Sequence, residues 1–524
     1  MSPHMLIHKI SAGVSVMLLA AACGGGGGGG GSSTPPGGTN PPPAAGSDFD
    51  QGVFRNSASF KDICLNPRTG STDLQGDTED ENYWLRSWSN ELYLWYDEIV
   101  DEDPADFDTP EYFDLMRTFA TTPSGRDRDQ FHFTFDTEEW EALSQSGISV
   151  EYGARIILLS TTVPREAAIA YVVPGSPADT AGLVRGDRII EVDGFDLVNS
   201  TDPDPLNDGL FPDVVGESHT FLIESSGGGT RSVTLSAANV TEDPVPVSQI
   251  INTSSGPVGY LVFTTHIETA EQRLFSEFQS MSAAGVTDLI LDLRYNGGGL
   301  LDIANETAFM VAGPAAAGGR TFEEIIFNDK HPTTNPVTGG ALTPRLFHQV
   351  AQGFSVSRGT SLPSVNLPRV FILTTEDTCS ASEAIINGLV GIDFEVILIG
   401  TDTCGKPFGF YPTDNCGTTY FTIQFQGVNA KGFGDYADGF IPSLAPLEEY
   451  EIAGCRVPDD FSRALGDQAE SQLAAALTYI ETGACPVGAT SVGDKSVRVS
   501  NGSNASSNSA QELSVPRRMP GRVL

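Results

Sequence analysis

Three short segments carry groups suited to acyl transfer. The first is Thr378-Cys379-Ser380-Ala381-Ser382-Glu383. Its Ser380-x-x-Glu383 spacing is that of a helix capping box, so Ser380 is placed at a turn that opens a helix. A serine at such a turn is exposed as a nucleophile, and the free N–H groups of the helix start lie close enough to hold an oxyanion. The second segment, Leu291-Asp292-Leu293-Arg294-Tyr295-Asn296-Gly297-Gly298-Gly299-Leu300, runs an apolar strand into three glycines. Glycines let a backbone approach a ligand closely and turn its N–H groups inward. The third, Gly400-Thr401-Asp402-Thr403-Cys404-Gly405-Lys406-Pro407, places one of the chain's few lysines in a loop after another apolar run. A lysine acts as a general base when burial lowers its pKa, and a loop between core strands offers that burial.

All three segments follow runs suited to buried strands. Val258 to Phe263, Asp288 to Leu293, Arg369 to Thr374 and Glu395 to Ile399 are short and apolar, with helical patterns at 268–283 and 382–391 and a last helix at about 459–482. Residues 244–486 therefore read as an α/β core in which strands and helices alternate. Residues 147–243 change to short β-rich runs with Gly-containing turns. Pro174-Gly175-Ser176-Pro177-Ala178, Ala181-Gly182-Leu183 and Gly186-Asp187-Arg188-Ile189-Ile190-Glu191-Val192-Asp193-Gly194 closely resemble a PDZ domain. That resemblance implies capture of an extended peptide as an added strand, with its carboxylate held at a loop falling on Gly147, Ile148, Ser149 and Val150. Residues 48–146 read as a small helical domain. Tyr83-Trp84-Leu85, Trp88, Leu92, Leu94-Trp95 and Ile99 are spaced for one helix face, and Pro110 precedes a second helix from Glu111 to Thr118.

Taken together, the segments resemble the carboxyl-terminal processing, or tail-specific, proteases. The resemblance spans about 147–450. It implies that Ser380 is the nucleophile, that Lys406, 26 positions later, is the base, and that Glu383 orients the lysine. It also implies an oxyanion hole made by the N–H groups of Gly298 and Ala381. The expected activity is serine-type endopeptidase cleavage of exported proteins, with protein or peptide substrates bound through exposed C-termini and no cofactor or metal. Two features depart from the family pattern: Pro407 stands where a glycine is usual, and Cys379 and Cys404 flank the key residues. No Gly-x-Ser-x-Gly elbow, Ser-x-x-Lys segment or His-Glu-x-x-His helix offers another hydrolase chemistry. His266 and His348 have no supporting local spacing. The alternative function is a catalytically inactive peptide- or ligand-binding lipoprotein on the same scaffold.

The ends and the charge add the setting. With 68 Asp+Glu against 29 Lys+Arg, the chain carries a formal charge of −39, which repels nucleic acid. Residues 1–23 read as an export signal: His8 and Lys9 precede an apolar stretch, and Leu18-Leu19-Ala20-Ala21-Ala22-Cys23 resembles a bacterial lipoprotein box with Cys23 as the lipidated residue. Leu19 lies four places before Cys23, where three is usual. Residues 24–47 are a Gly/Pro-rich linker, and 487–524 read as a disordered tail. The expected location is the cell envelope of a Gram-negative bacterium, as an outer-membrane lipoprotein held by its lipid anchor. Six further cysteines suit an oxidising compartment, and the expected pairs are Cys404–Cys416, Cys455–Cys485 and Cys64–Cys379.

Overall fold

The structure is a computed structural model that describes residues 49–488 and 521–523. The expected signal, Cys23 and the 24–47 linker lie outside the described residues, as does most of the expected tail.

The core is a seven-stranded sheet in the order Val247–Thr253, Gly256–Val262, Asp288–Asp292, Arg369–Thr374, Glu395–Gly400, Glu451–Arg456, Ile441–Ser443. The first pair is antiparallel and every later pair is parallel. Successive side chains of a strand point to opposite faces, and here both faces are covered. Leu289, Leu291, Val370, Ile372 and Leu398 pack with residues of the helices Ala270–Ala284, Leu301–Ala317 and Ala381–Gly391. Ile290, Phe371, Leu373, Ile397 and Ile399 face Leu473, Ala476 and Ile480 of the helix Ser471–Thr482. The last helix is shorter than the expected 459–482 because Glu470 caps it, accepting from the Gln472 and Leu473 N–H groups. The helix Leu301–Ala317, kinked at Gly313, is absent from the sequence-based expectation.

A second sheet has six strands. It runs Gly298–Leu300, Gly521–Val523, Phe408–Phe410, Phe425–Val428, Thr321–Phe327, Arg345–Leu346. The short segment Gly521–Val523 lies parallel to both of its neighbours, so this part of the expected disordered tail is a strand.

The PDZ segment is a sheet ordered Thr230–Ser236, Ser218–Glu224, Arg188–Val192, Glu166–Val172, Ala154–Ser160, with the helices Pro177–Thr180 and Asp204–Leu210. Gly147 caps the preceding helix at φ 67°, and Ile148–Glu151 is a strand paired with Ala238–Thr241. The expected carboxylate loop Gly147 to Val150 is thus a helix end and a paired strand, not an open loop. The edge strands of the PDZ sheet are Ala154–Ser160 and Thr230–Ser236.

The first helix is Thr78–Leu92, with a capping box between Asp77 and Asp80. It stops before the expected Leu94-to-Ile99 stretch because Tyr93 turns to ψ 135° and the Leu94 N–H bonds to Ile423 O at 2.8 Å. The second helix is Thr109–Leu115 rather than 111–118, since Asp108 is its cap. Segment 48–146 shares its core with later residues: Trp84 and Trp88 stack and meet Tyr420, and Phe133–Asp136 pairs with Thr418–Phe421.

The disulfides are Cys64–Cys416, Cys379–Cys404 and Cys455–Cys485. Only the third matches the expected set. Arg369–Thr374 and Glu395–Gly400 are sheet neighbours, so the loops leaving them meet: the Cys404 N–H bonds to Thr378 O at 3.1 Å, bringing Cys404 to Cys379. Cys416 sits at a hairpin tip facing the N-terminal segment, where the Asp62 N–H bonds to Asn415 Oδ1 at 2.9 Å.

Candidate active site

Parallel α/β sheets bind ligands beyond the carboxyl ends of their strands. The three chemistry-bearing segments leave the carboxyl ends of three adjacent strands, Asp288–Asp292, Arg369–Thr374 and Glu395–Gly400. Sheet order therefore brings together residues far apart in sequence.

Ser380 is the N-cap of the helix Ala381–Gly391 but, where an exposed turn was expected, it is fully buried, because the glycine loop closes over it. Its backbone has φ 59° and ψ −108°, a positive φ for a residue with a Cβ. Such strain persists only where the surroundings over-determine it, and it concentrates at functional sites. The Ser380 N–H donates to Glu383 Oε2 at 2.8 Å. The Ser380 Oγ faces the third helical amide as a capping box requires, yet it makes no well-aligned hydrogen bond and has no partner among the described residues. A hydroxyl consumed by capping would be a structural feature; this one is unspent. The Ala381 N–H is the first of the helix and has no acceptor within it.

Glu383 is the hub. Fully buried, it accepts from Thr403 Oγ1 at 2.5 Å and from the N–H groups of Gly405, Lys406 and Ser380, each at 2.8 Å. The Ser380 and Lys406 amides meet the same oxygen, Oε2, so their nitrogens lie within two hydrogen-bond lengths of each other. Burial pushes the Glu383 carboxyl above its ordinary range, against the pull of these donors. Lys406 is fully buried, with Nζ 4.3 Å from the Phe131 ring centre and 4.2 Å from that of Phe410.

The glycine loop closes on the serine turn. A Cβ on Gly298 would come within 2.9 Å of Ser380 Cβ and 3.0 Å of both Ala381 N and Cys379 O, and its φ is 106°. Only glycine fits there. The Gly298 N–H, expected in the oxyanion hole, donates to Asn296 Oδ1 at 2.9 Å in this structure. The loop is anchored from below by Arg294, fully buried and paired with Asp292 at 2.7 Å and with Asp459 and Glu470 at 2.8 Å. From the PDZ side, Arg185 donates to Tyr295 Oη and, at 2.6 Å, to Asp459.

Beside the site lie His266, which has no supporting local spacing in the sequence, and neighbours the sequence does not signal. Nδ1 of His266 lies 2.9 Å from Asn296 Oδ1, its Nε2 is buried without a partner among the described residues, and burial pushes the ring down to about 3. His348 lies elsewhere, with Nε2 2.8 Å from Asp302 Oδ1. Phe131 precedes Lys406 by 275 positions, so no local pattern reveals it. Thr403 was signalled only by its place in the lysine loop. Among the described residues, two side-chain groups have metal-ligand spacing, Cys64-Glu81-Cys416 and Cys379-Glu383-Cys404, and in each the two sulfurs are bonded to one another.

Residues 257–411 match the model of peptidase family S41, and residues 169–204 match that of the PDZ domain. The chain carries a peptidase S41 domain and a PDZ domain. The S41 match takes in the glycine loop, Ser380, Glu383 and Lys406. The chain is similar to the carboxyl-terminal-processing protease of Picosynechococcus sp., 24% identical over 276 residues that cover 50% of this chain and 54% of the relative. It is also similar to the carboxy-terminal processing protease CtpA of Bacillus subtilis, 29% identical over 141 residues covering 26% and 28% respectively. It thus spans about half or less of the length of these relatives. Its fold resembles a crystal structure of a Bacteroides fragilis protein described as an S41 protease, with TM-score 0.57 and 24% identity over 80% of this chain and all of that one.

Proposed function

We propose that the protein is a serine endopeptidase of the carboxyl-terminal processing type, working through Ser380 and Lys406. The observation that carries this reading is the buried Glu383 oxygen that binds the backbone N–H of both residues beside an unpartnered Ser380 Oγ. Neutral Lys406 takes the Ser380 proton as Oγ attacks a peptide carbonyl, and the oxyanion falls to the Ala381 and Gly298 N–H groups. Donors of this kind contribute roughly 3–4 kcal/mol each to the transition state. Gly298 must give up its bond to Asn296 Oδ1 to take that role. Lys406 then protonates the leaving amine, and water cleaves the acyl-enzyme. The placing of Gly521–Val523 between Gly298–Leu300 and Phe408–Phe410 supports an extended substrate, since it marks where a strand fits beside these residues.

The PDZ segment would capture substrate C-termini by strand addition at one of its edge strands, Ala154–Ser160. The S41 match does not favour the binding-only alternative. Three disulfides support an exported protein, and lipidation at Cys23 would anchor it to the outer membrane. Labelling by a palmitate analogue that persists in Cys23→Ser would remove that anchor.

A second reading, with His266 as the base, rests on its buried and unpartnered Nε2 close to the glycine loop. One experiment separates the two. β-Casein is digested by the oxidised protein and by Ser380→Ala, Lys406→Ala and His266→Ala. The dyad predicts cleavage lost by about 10⁴-fold or more in the first two variants. Loss in His266→Ala with activity retained in Lys406→Ala transfers the base to His266.

A further inference from the structure

We propose that the Cys379–Cys404 disulfide is a positioning clamp for the reacting groups, so that turnover depends on its oxidation state while the fold does not. The inference rests on the Ser380–Lys406 reading. Cys379 immediately precedes Ser380, Cys404 lies two residues before Lys406, and their bond joins the two segments across 25 residues.

The clamp sits where all three segments meet. The Cys379 N–H bonds to Asn296 O of the glycine loop at 3.0 Å, and the Cys379 carbonyl lies against Gly298. The Cys404 N–H bonds to Thr378 O at 3.1 Å, and the Cys404 sulfur is 3.3 Å from Glu383 Oε2, the oxygen shared by Ser380 and Lys406.

Two features make this link more than local reinforcement. Ser380 holds a positive φ that its surroundings must impose, and the neighbouring residue is covalently fixed. In the lysine loop the Gly405 and Lys406 N–H groups donate to Glu383, the Thr403 N–H bonds to Phe440 O at 3.0 Å, and Pro407 has no N–H to give. The disulfide is the covalent link between the two segments, beside these hydrogen bonds and the packing of Lys406 against Phe131 and Phe410. The other two disulfides tie Cys64 to the hairpin tip and bracket the last helix, so they preserve the fold when this one opens.

Cys379 is 7% exposed and Cys404 half-buried, so a small dithiol reaches the bond from the Cys404 side. Dithiothreitol supplies two electrons and two protons: the S–S bond breaks, two thiols form, and the reagent closes to its cyclic disulfide.

The test uses the full chain, oxidised and then graded with dithiothreitol, alongside the double variant Cys379→Ser/Cys404→Ser. A chelator is present throughout, because the freed sulfurs and the Glu383 carboxylate lie within 4.8 Å of one another and would take up a metal ion. The clamp predicts that kcat on β-casein falls by about a hundredfold with KM little changed. It also predicts a shifted pH–rate profile and faster hydrogen exchange at the Gly405 and Lys406 amides, with melting largely retained. Unchanged kcat together with unchanged exchange overturns it. If no state of the protein turns over casein, exchange decides alone: a rise keeps the clamp and places the failure in the Ser380–Lys406 reading, and no rise removes the clamp. Cys416 and Cys485 are half-buried too, so the variant, which leaves the other two disulfides intact, assigns the effect to this bond; should the double variant fail to fold, Cys404→Ala opens the same bond and supplies the same readouts.

Discussion

At the residue scale, the site depends on atoms that are absent as much as on those present. Gly298 has no Cβ, and the space one would fill is held by Ser380, Ala381 and Cys379. Gly298→Ala must push the glycine loop away from the nucleophile and force a positive φ on a residue that resists it. The expected outcome is a loss of kcat/KM of about a hundredfold, in line with removal of one oxyanion donor or a shift of about 1 Å. Activity within about twofold of wild type, against that hundredfold scale, would show that the loop does not work through its closeness to Ser380. Ser380 itself is an example of two physical demands in one residue. Its type and spacing fit a helix cap, and the structure leaves its hydroxyl unpartnered.

At the element scale, three strand ends in sheet order assemble what the sequence separates. This much was legible. The strands at 258–263, 288–293, 369–374 and 395–399 were expected from their apolar runs, and both-face burial explains why those runs are continuous. The capping-box turn at Ser380 and the loop carrying Lys406 were legible because each follows an apolar strand run, while the roles of Ser380, Glu383 and Lys406 came from the family resemblance. Cys379–Cys404 was not, because cysteine spacing says nothing of which loops become neighbours until sheet order is known. The helix Leu301–Ala317 was also missed, its period hidden because residues on nearly all its sides are buried. That helix carries a pH-dependent element. Burial and the neighbouring Glu271 push the Glu306 carboxyl up to about 9. The unfolded chain loses this proton near 4.5, so between about 4.5 and 9 the folded state holds the extra proton and stability falls as pH rises. Glu306→Gln keeps an acceptor for the Gln352 N–H, now 2.7 Å from Glu306 Oε1, and removes the titration. Urea midpoints at pH 5 and pH 8.5 should show the variant gaining on wild type at the higher pH. An equal difference at both would mean that Glu306 does not titrate in this window.

At the scale of the whole molecule, distant parts of the chain converge on one site. Residues of the 48–146 segment supply Phe131 over Lys406, the PDZ segment supplies Arg185 to Tyr295, and Gly521–Val523 lies between the glycine loop and Phe408–Phe410. If that strand occupies the substrate position, ending the chain after residue 488 should lower KM for an unstructured peptide and leave kcat unchanged. An unchanged KM would mean that the segment does not compete for the site. The central claim is that Ser380 is acylated with help from Lys406. Its most direct test is peptide mapping by mass spectrometry after a rapid acid quench of the protein mixed with a p-nitrophenyl ester. The expected result is one acyl group, on the peptide containing Ser380, absent in Ser380→Ala and formed far more slowly in Lys406→Ala. An acyl group on another residue, or one that forms on Ser380 at an undiminished rate without Lys406, would contradict it.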